Sequence, residues 1–74
     1  MNDNNYYNSI HFITGKVNNL TQNLQEAEEK YNEAIAHQRA NSYIFELGQD
    51  VQNIRRKLLY FSQRLIQLQN STNY

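Results

Sequence analysis

The apolar residues of this chain recur at alternating spacings of three and four, and the pattern shifts phase once near its middle. Such a repeat places its members along one stripe of an α-helix. The first series, continued past Ala34, reaches the polar residues Gln38 and Asn41 and then position 45, whereas the second series starts at Ile44. The two series are Ile10, Ile13, Val17, Leu20, Leu24, Ala27, Tyr31 and Ala34, and Ile44, Leu47, Val51, Ile54, Leu58, Phe61, Leu65 and Leu68.

The phase shift predicts two helices of similar length that are joined by a polar turn. We therefore expect an all-α fold, an antiparallel helical hairpin that dimerises into a four-helix bundle with coiled-coil-like heptads. The first helix should span about residues 16–38, the turn 39–42 and the second helix about 43–69. In the turn, Asn41 tolerates the left-handed conformation that ends helices, and Ser42 can cap the helix that follows.

The predicted hairpin belongs to a single domain, residues 9–70. The polar, Asn-rich residues 1–8 are expected to form a flexible arm, and residues 71–74 a disordered tail. Gly15 costs a helix about 1 kcal/mol relative to Ala, which predicts a break or a fresh start near Thr14. The rival interpretation is one uninterrupted helix with a stammer, a structural coiled coil of a larger particle about twice as long as the hairpin.

If the chain folds back about residues 40–42, the two apolar series face each other throughout. Leu24 then faces Leu58, and Glu28 lies beside Arg55. A hairpin of this kind would be about 40 Å long, and replacing Leu58 or Phe61 with Ala should destabilise it by about 2–5 kcal/mol. The residues expected to form the interface core are Val17, Leu20, Leu24, Tyr31, Val51, Ile54, Leu58, Phe61 and Leu65.

A second copy of the chain is the expected way to complete the core. Phe45, Leu59 and Ile66 flank the second apolar series on one side, so its stripe is wider than one partner helix can cover. The chain has 74 residues and no Cys, so its core is small and no disulfide can reinforce it. These features predict a homo-oligomer.

The sequence offers no pattern that would predict an enzyme, a cofactor or a small-molecule ligand. His11 has no nucleophile or carboxylate arrangement around it, and two helices cannot enclose a ligand-sized pocket. Glu29, Glu33 and His37 share a helical stripe, but the second helix has no His to complete a metal site, so we interpret them as a solvated face. No apolar run is long enough for a membrane span, which predicts no membrane partner.

A basic cluster, Arg55, Arg56 and Lys57 with Arg64 and Tyr60 nearby, suggests an alternative function. In a hairpin dimer, two such clusters could contact the phosphates of RNA or DNA. The net charge of the chain is zero, which argues against general nucleic-acid binding. Nucleic acid is therefore the less favoured partner, and the simpler interpretation pairs Arg55 and Lys57 with Glu28 and its neighbours.

The favoured function is that of a small non-enzymatic module that binds a larger protein and acts by occlusion or bridging. Exposed aromatic and Arg side chains are favoured anchors of protein interfaces. The twelve Asn and six Tyr suggest an AT-rich genome, such as that of a bacteriophage, a mobile element or a low-GC bacterium. This favours a phage or mobile-element regulatory, inhibitory or assembly protein in the cytoplasm, which is the host cytoplasm if the source is viral. The candidate partner-binding residues are Tyr6, Tyr7, Phe12, Arg55, Arg56, Lys57 and Tyr60.

Overall fold

The computed structural model describes the backbone of residues 2–71 and the side chains of residues 9–70. It consists of two helices, α1 (Asn2–Ala36) and α2 (Asn41–Ser71), which pack against each other along their length. Residues far apart in the chain meet in antiparallel register, as Glu28 does with Arg55. The predicted all-α hairpin is thus confirmed, and the rival continuous helix is excluded because residues 37–40 reverse the chain direction.

Helix α1 is longer than the sequence predicted. It begins at Asn2 and runs without interruption through Thr14 and Gly15, where we expected a break, whereas a flexible arm was predicted for residues 1–8. Adding residues to an existing helix is far less costly than nucleating one, so a single Gly need not end it. The hairpin therefore measures 55 Å along its axis instead of the 40 Å that the shorter helices implied.

The link between the helices lies two residues earlier than predicted. Gln38, and not Asn41, takes the left-handed conformation (φ 52°), and it is the only such non-Gly residue in the described part of the chain. Its amide donates to the Ile35 carbonyl (3.1 Å), and the Arg39 amide donates to the Ala34 carbonyl (2.9 Å). These two bonds satisfy carbonyls that the end of a helix leaves unpaired.

Two consequences follow for the turn residues that the sequence singled out. Asn41 begins α2 and Ser42 lies inside it, while the Ala40 carbonyl accepts the amide of Ile44 (3.0 Å). The position of the link is set by the two apolar series, because Ala34 and Ile44 must both face the core. Arg39 then stacks over the Tyr43 ring, 4.9 Å from its centre, and covers the start of α2.

The seam between the helices is continuous but thin. Every member of both apolar series is buried or half-buried, from Ile10 to Ala34 on α1 and from Ile44 to Leu68 on α2. The buried core among the described side chains consists of Ile13, Ala34 and Val51. Most seam side chains therefore keep one edge in solvent, as expected where only two helices pack together.

One close approach of the two helices depends on glycine. A Cβ added at Gly48 would lie 3.3 Å from Cε1 of Tyr31, whereas nothing lies within 4 Å of a Cβ added at Gly15. Gly48 therefore lets the Tyr31 ring lie close to the α2 backbone, while Gly15 has no such packing reason.

These two glycines provide a matched stability test. We expect Gly15→Ala to raise the free energy of unfolding by about 1 kcal/mol, because Ala is the better helix former and the space is open. Gly48→Ala should gain clearly less, since the Tyr31 ring must shift to admit the methyl group. Urea unfolding at equal protein concentration measures both, and equal gains would show that Tyr31 does not pack on Gly48.

Candidate interaction surfaces

The antiparallel hairpin has two broad faces, one on each side of the seam, and each contains an open groove between the helices. One groove, with its continuation toward the turn, is lined by Glu28, Tyr31, Asn32, Phe45, Gly48, Gln52 and Arg55. The groove on the opposite side is lined by Asn23, Glu26, Ala27, Lys30, Leu47, Asp50, Asn53, Ile54 and Lys57. The two sides therefore differ in chemistry.

The first side, which we call the apolar face, carries large hydrophobic side chains in solvent. Phe45, Leu59 and Ile66 share a seven-residue spacing with Gln52 along α2, and their exposed fractions are 66%, 60% and 55%. Ile35 lies seven residues beyond Glu28 on α1 and is 47% exposed. Residues seven apart lie nearly above one another on a helix, so Phe45, Leu59 and Ile66 form one stripe along α2 beside the groove.

Charge is distributed very unevenly between the two sides. Among the described residues that occupy the same heptad positions as the lining of the apolar-face groove, Glu28 and Arg55 are the charged ones. They form an ion pair with 2.8 Å between Nη2 of Arg55 and Oε2 of Glu28. Both side chains are about half exposed, so this ion pair stabilises the hairpin by no more than about 1 kcal/mol. The opposite side, the charged face, carries Lys16, Glu26, Lys30, Glu33, Glu46, Asp50, Lys57 and Arg64.

The charged face ends in a basic patch with aromatic side chains, away from the turn. Residues 9–28 and 55–70, which form this open half of the hairpin because Glu28 lies beside Arg55, include five Lys or Arg against two acids, Glu26 and Glu28. Lys16 lies over the Phe12 ring, 5.8 Å from its centre. Tyr60 is 63% exposed, and its ring meets the Phe61 ring edge to face, with 5.1 Å between the two ring centres. We call the following set the basic-aromatic patch: Phe12, Lys16, Lys57, Tyr60 and Arg64.

The predicted basic cluster does not form one surface. Arg55 pairs with Glu28 on the apolar face, whereas Lys57 lines the groove of the charged face. Arg56 is exposed at the outer edge of α2. Successive helical residues point about 100° apart, so three consecutive basic residues cannot share one face.

The other predicted site residues fall into three groups. All nine predicted core residues lie in the seam, where Val51 is buried and the rest are half-buried. Phe12 and Tyr60 are exposed on the charged face. The side chains of Tyr6 and Tyr7 lie outside the described residues, so their predicted role in partner binding stays a prediction.

Lys16 was missed as a member of the patch, and Arg64 was noted only as a neighbour of the three consecutive basic residues. Both sit next to the apolar series in the sequence, and Arg64 follows Lys57 at seven-residue spacing. That spacing puts Arg64 directly above Lys57 on the same helix face, and the hairpin register brings Lys16 to about the same level on α1. Reading the charges by heptad position, and not by adjacency, would have found them.

Two further features of the described residues bear on ligands. They contain no cluster of three or more His, Cys, Asp or Glu side chains that could hold a metal ion. Within the same part of the chain, neither helix is long and apolar enough to cross a membrane.

Comparison with known proteins identified no relative of this chain. No protein-family model, curated protein or solved structure matches the chain significantly. The surfaces of the hairpin are therefore the features that indicate what this protein does.

Proposed function

We propose that this chain is a non-enzymatic protein-binding module that dimerises into a four-helix bundle and acts by occluding or bridging a larger protein. Its role would be regulatory, inhibitory or assembly-related, without catalysis. The observation that carries the proposal is the division of the hairpin into an exposed apolar face and a charged face with a basic-aromatic patch. Contiguous exposed apolar surface usually marks an interaction site.

The thin core supports dimerisation. Only Ile13, Ala34 and Val51 are buried among the described side chains, and a chain of 74 residues with so small a core is marginal as a monomer. A second hairpin on the apolar face would cover Phe45 and Leu59. That packing would produce the four-helix bundle that the wide apolar stripe predicts.

The basic-aromatic patch supports binding of a protein with an acidic surface. Phe12 and Tyr60 offer exposed rings, and aromatic residues with nearby cations are enriched at the centres of protein interfaces. Lys16, Lys57 and Arg64 give this region a net positive charge, and Glu26 lines the same groove as Lys57. Such a surface would steer an acidic partner toward the two rings.

Site-specific photo-crosslinking tests this proposal. We would place the photoreactive residue benzoylphenylalanine at Tyr60 or at Gln63, which is exposed three residues away at the outer edge of α2. In the cells that naturally make the protein, the probe at Tyr60 should give a specific adduct with another protein and the probe at Gln63 should not. Adding Lys57→Glu and Arg64→Glu to the Tyr60 probe should remove that adduct, because the charge that steers the partner is reversed.

The proposal would be overturned by one clear pattern of adducts. If the probe at Tyr60 gives only links between copies of this chain, or the same weak adducts as the probe at Gln63, the patch does not bind a protein partner. Circular dichroism of each variant would establish that the helices are intact.

Nucleic-acid binding is the second candidate, favoured by the five basic residues of the open half. Binding to a mixed-sequence RNA duplex would then weaken steeply between 50 and 200 mM salt, because phosphate contacts release counterions. Fluorescence anisotropy with the wild type and with Lys57→Ala measures this. We expect little binding at physiological salt, and a tight, salt-sensitive complex would favour this second function over the first.

A further inference from the structure

Apart from Ile35 on α1, the exposed apolar side chains of the apolar face lie on α2, and this restricts how a second copy can cover them. Phe45, Leu59 and Ile66 belong to α2, whereas the corresponding positions of α1 are polar. Those α1 residues are His11, Asn18, Gln25 and Asn32. If two copies met with a twofold axis parallel to the helices, α2 of each copy would lie on α1 of the other, and apolar side chains would face amides.

A twofold axis perpendicular to the helices gives the opposite result. It lays α2 of one copy antiparallel on α2 of the other, so that the exposed apolar side chains of the two copies face each other. An interface of this kind is isologous, since the same patch is used on both copies. Antiparallel packing of two hairpins also yields an ordinary four-helix bundle.

The register follows from the single polar member of the stripe. Gln52 separates Phe45 from Leu59 by seven residues on each side. An axis at Gln52 places the two Gln52 amides together and sets each Phe45 against Leu59 of the other copy. A shift of half a heptad would instead place Gln52 against Leu59, leaving a buried amide without a polar partner.

The charge distribution of the whole hairpin agrees with an antiparallel dimer. Residues 29–54, toward the turn, carry a net charge of −2, whereas residues 9–28 and 55–70 carry +3. Antiparallel pairing about Gln52 lays the turn half of each hairpin on the open half of the other, so the two halves attract. Glu46, Asp50 and Lys57 lie on the charged face, away from this interface, so the attraction acts at long range and salt weakens it.

The area of contact is close to what a stable dimer needs. Helices paired about Gln52 overlap over residues 41–63, which is about 33 Å at the rise of an α-helix, and Ile66 lies just beyond this overlap. With a hairpin width of 15 Å, the contact covers about 500 Å² on each copy, so the total is near the ~1,000 Å² threshold for a specific interface. We therefore expect a dimer that dissociates on dilution.

From these observations we propose that a second copy of this chain docks antiparallel on the apolar face, with the twofold axis at Gln52 and Phe45 packed on Leu59 of the other copy. The proposal deepens the proposed function and rests on its dimer. Both charged faces then point outward. Two basic-aromatic patches lie on opposite sides of the bundle, with their Tyr60 residues about 24 Å apart along its axis, an arrangement suited to bridging.

The chain has no Cys, so any disulfide that forms after one Cys is introduced must join the two copies at that position and reports how close it lies to the axis. Two Gln52→Cys copies should form an intermolecular disulfide rapidly, because the axis brings their Cα atoms within the range that a disulfide spans. The matched control is Asn53→Cys, one residue away and in the groove of the charged face. Non-reducing electrophoresis under mild oxidation should show at least a tenfold faster linkage for Gln52→Cys.

Analytical ultracentrifugation separates the possible failures. The wild type should sediment as a dimer that dissociates on dilution, Leu59→Asp as a monomer and Tyr60→Asp as a dimer, with helicity checked by circular dichroism. If the wild type sediments as a dimer but Gln52→Cys forms the disulfide no faster than Asn53→Cys, the proposed axis is wrong and the proposed dimer stands. A wild type that is monomeric at every concentration would overturn both the axis and the dimer.

Discussion

Val51→Asp is expected to unfold the hairpin, whereas Asn53→Asp, two residues away, should leave it folded. Val51 is 5% exposed at the middle of the seam, so a carboxylate there would be buried without a partner. An unpaired buried charge costs several kcal/mol, which is comparable with the whole stability, about 4–11 kcal/mol, of a domain of this length. Far-ultraviolet circular dichroism and thermal melting would show the loss of helix.

Asn53→Asp is the matched control because it adds the same charge to the same helix. Asn53 is exposed on the charged face, and Lys57 lies one turn further along α2. A carboxylate one turn before a lysine stabilises a helix by a few tenths of a kcal/mol. If Val51→Asp melted at the same temperature as Asn53→Asp, the packing of α1 on α2 at Val51 would be wrong.

The seam could be predicted from the sequence because it is a local property of each helix. Alternating spacings of three and four fix which stripe of each helix is apolar, and all members of both series are buried or half-buried in the hairpin. The same spacing predicted that Glu28 would lie beside Arg55, which the 2.8 Å ion pair confirms. Phe45, Leu59 and Ile66 were likewise expected to remain exposed in a single hairpin.

The link between the helices could not be predicted from residue preferences. Asn41 is intrinsically better suited to the left-handed conformation than Gln38, yet Gln38 adopts it. The choice is made by tertiary packing, since α1 must end where both apolar series can still face the core. Long-range packing of this kind outweighs a preference worth about 1 kcal/mol.

The interaction surfaces were predicted only in part, because adjacency in sequence differs from adjacency on a helix. Arg55, Arg56 and Lys57 are consecutive, so they resemble one basic patch in the sequence, but Arg55 and Lys57 lie on opposite faces of the hairpin. Phe12 and Lys16 are far from Tyr60 in the chain, and only the hairpin brings them to the same face. Their role in binding a partner stays a prediction.

Phe61 and Tyr60 are adjacent aromatic residues for which we expect very different effects of replacement by Ala. Phe61 is half-buried in the seam, and Tyr60 is exposed on the charged face. Truncating a fully buried Phe costs about 3–5 kcal/mol, so for a half-buried ring we expect Phe61→Ala to lower the free energy of unfolding by about 2 kcal/mol. Tyr60→Ala removes mainly the edge-to-face contact with Phe61 and should cost less than about 1 kcal/mol.

The two substitutions also separate stability from partner binding. Phe61→Ala should lower the melting temperature, whereas Tyr60→Ala should melt close to the wild type and lose the affinity that the basic-aromatic patch provides. Because Tyr60 lies on the face opposite the proposed dimer interface, its loss should not change the sedimentation of the protein. In the double variant, Tyr60→Ala should cost less than it does alone, since its ring contact is already gone. Equal destabilisation by the two single variants would instead place Tyr60 in the core and remove it from the interaction surface.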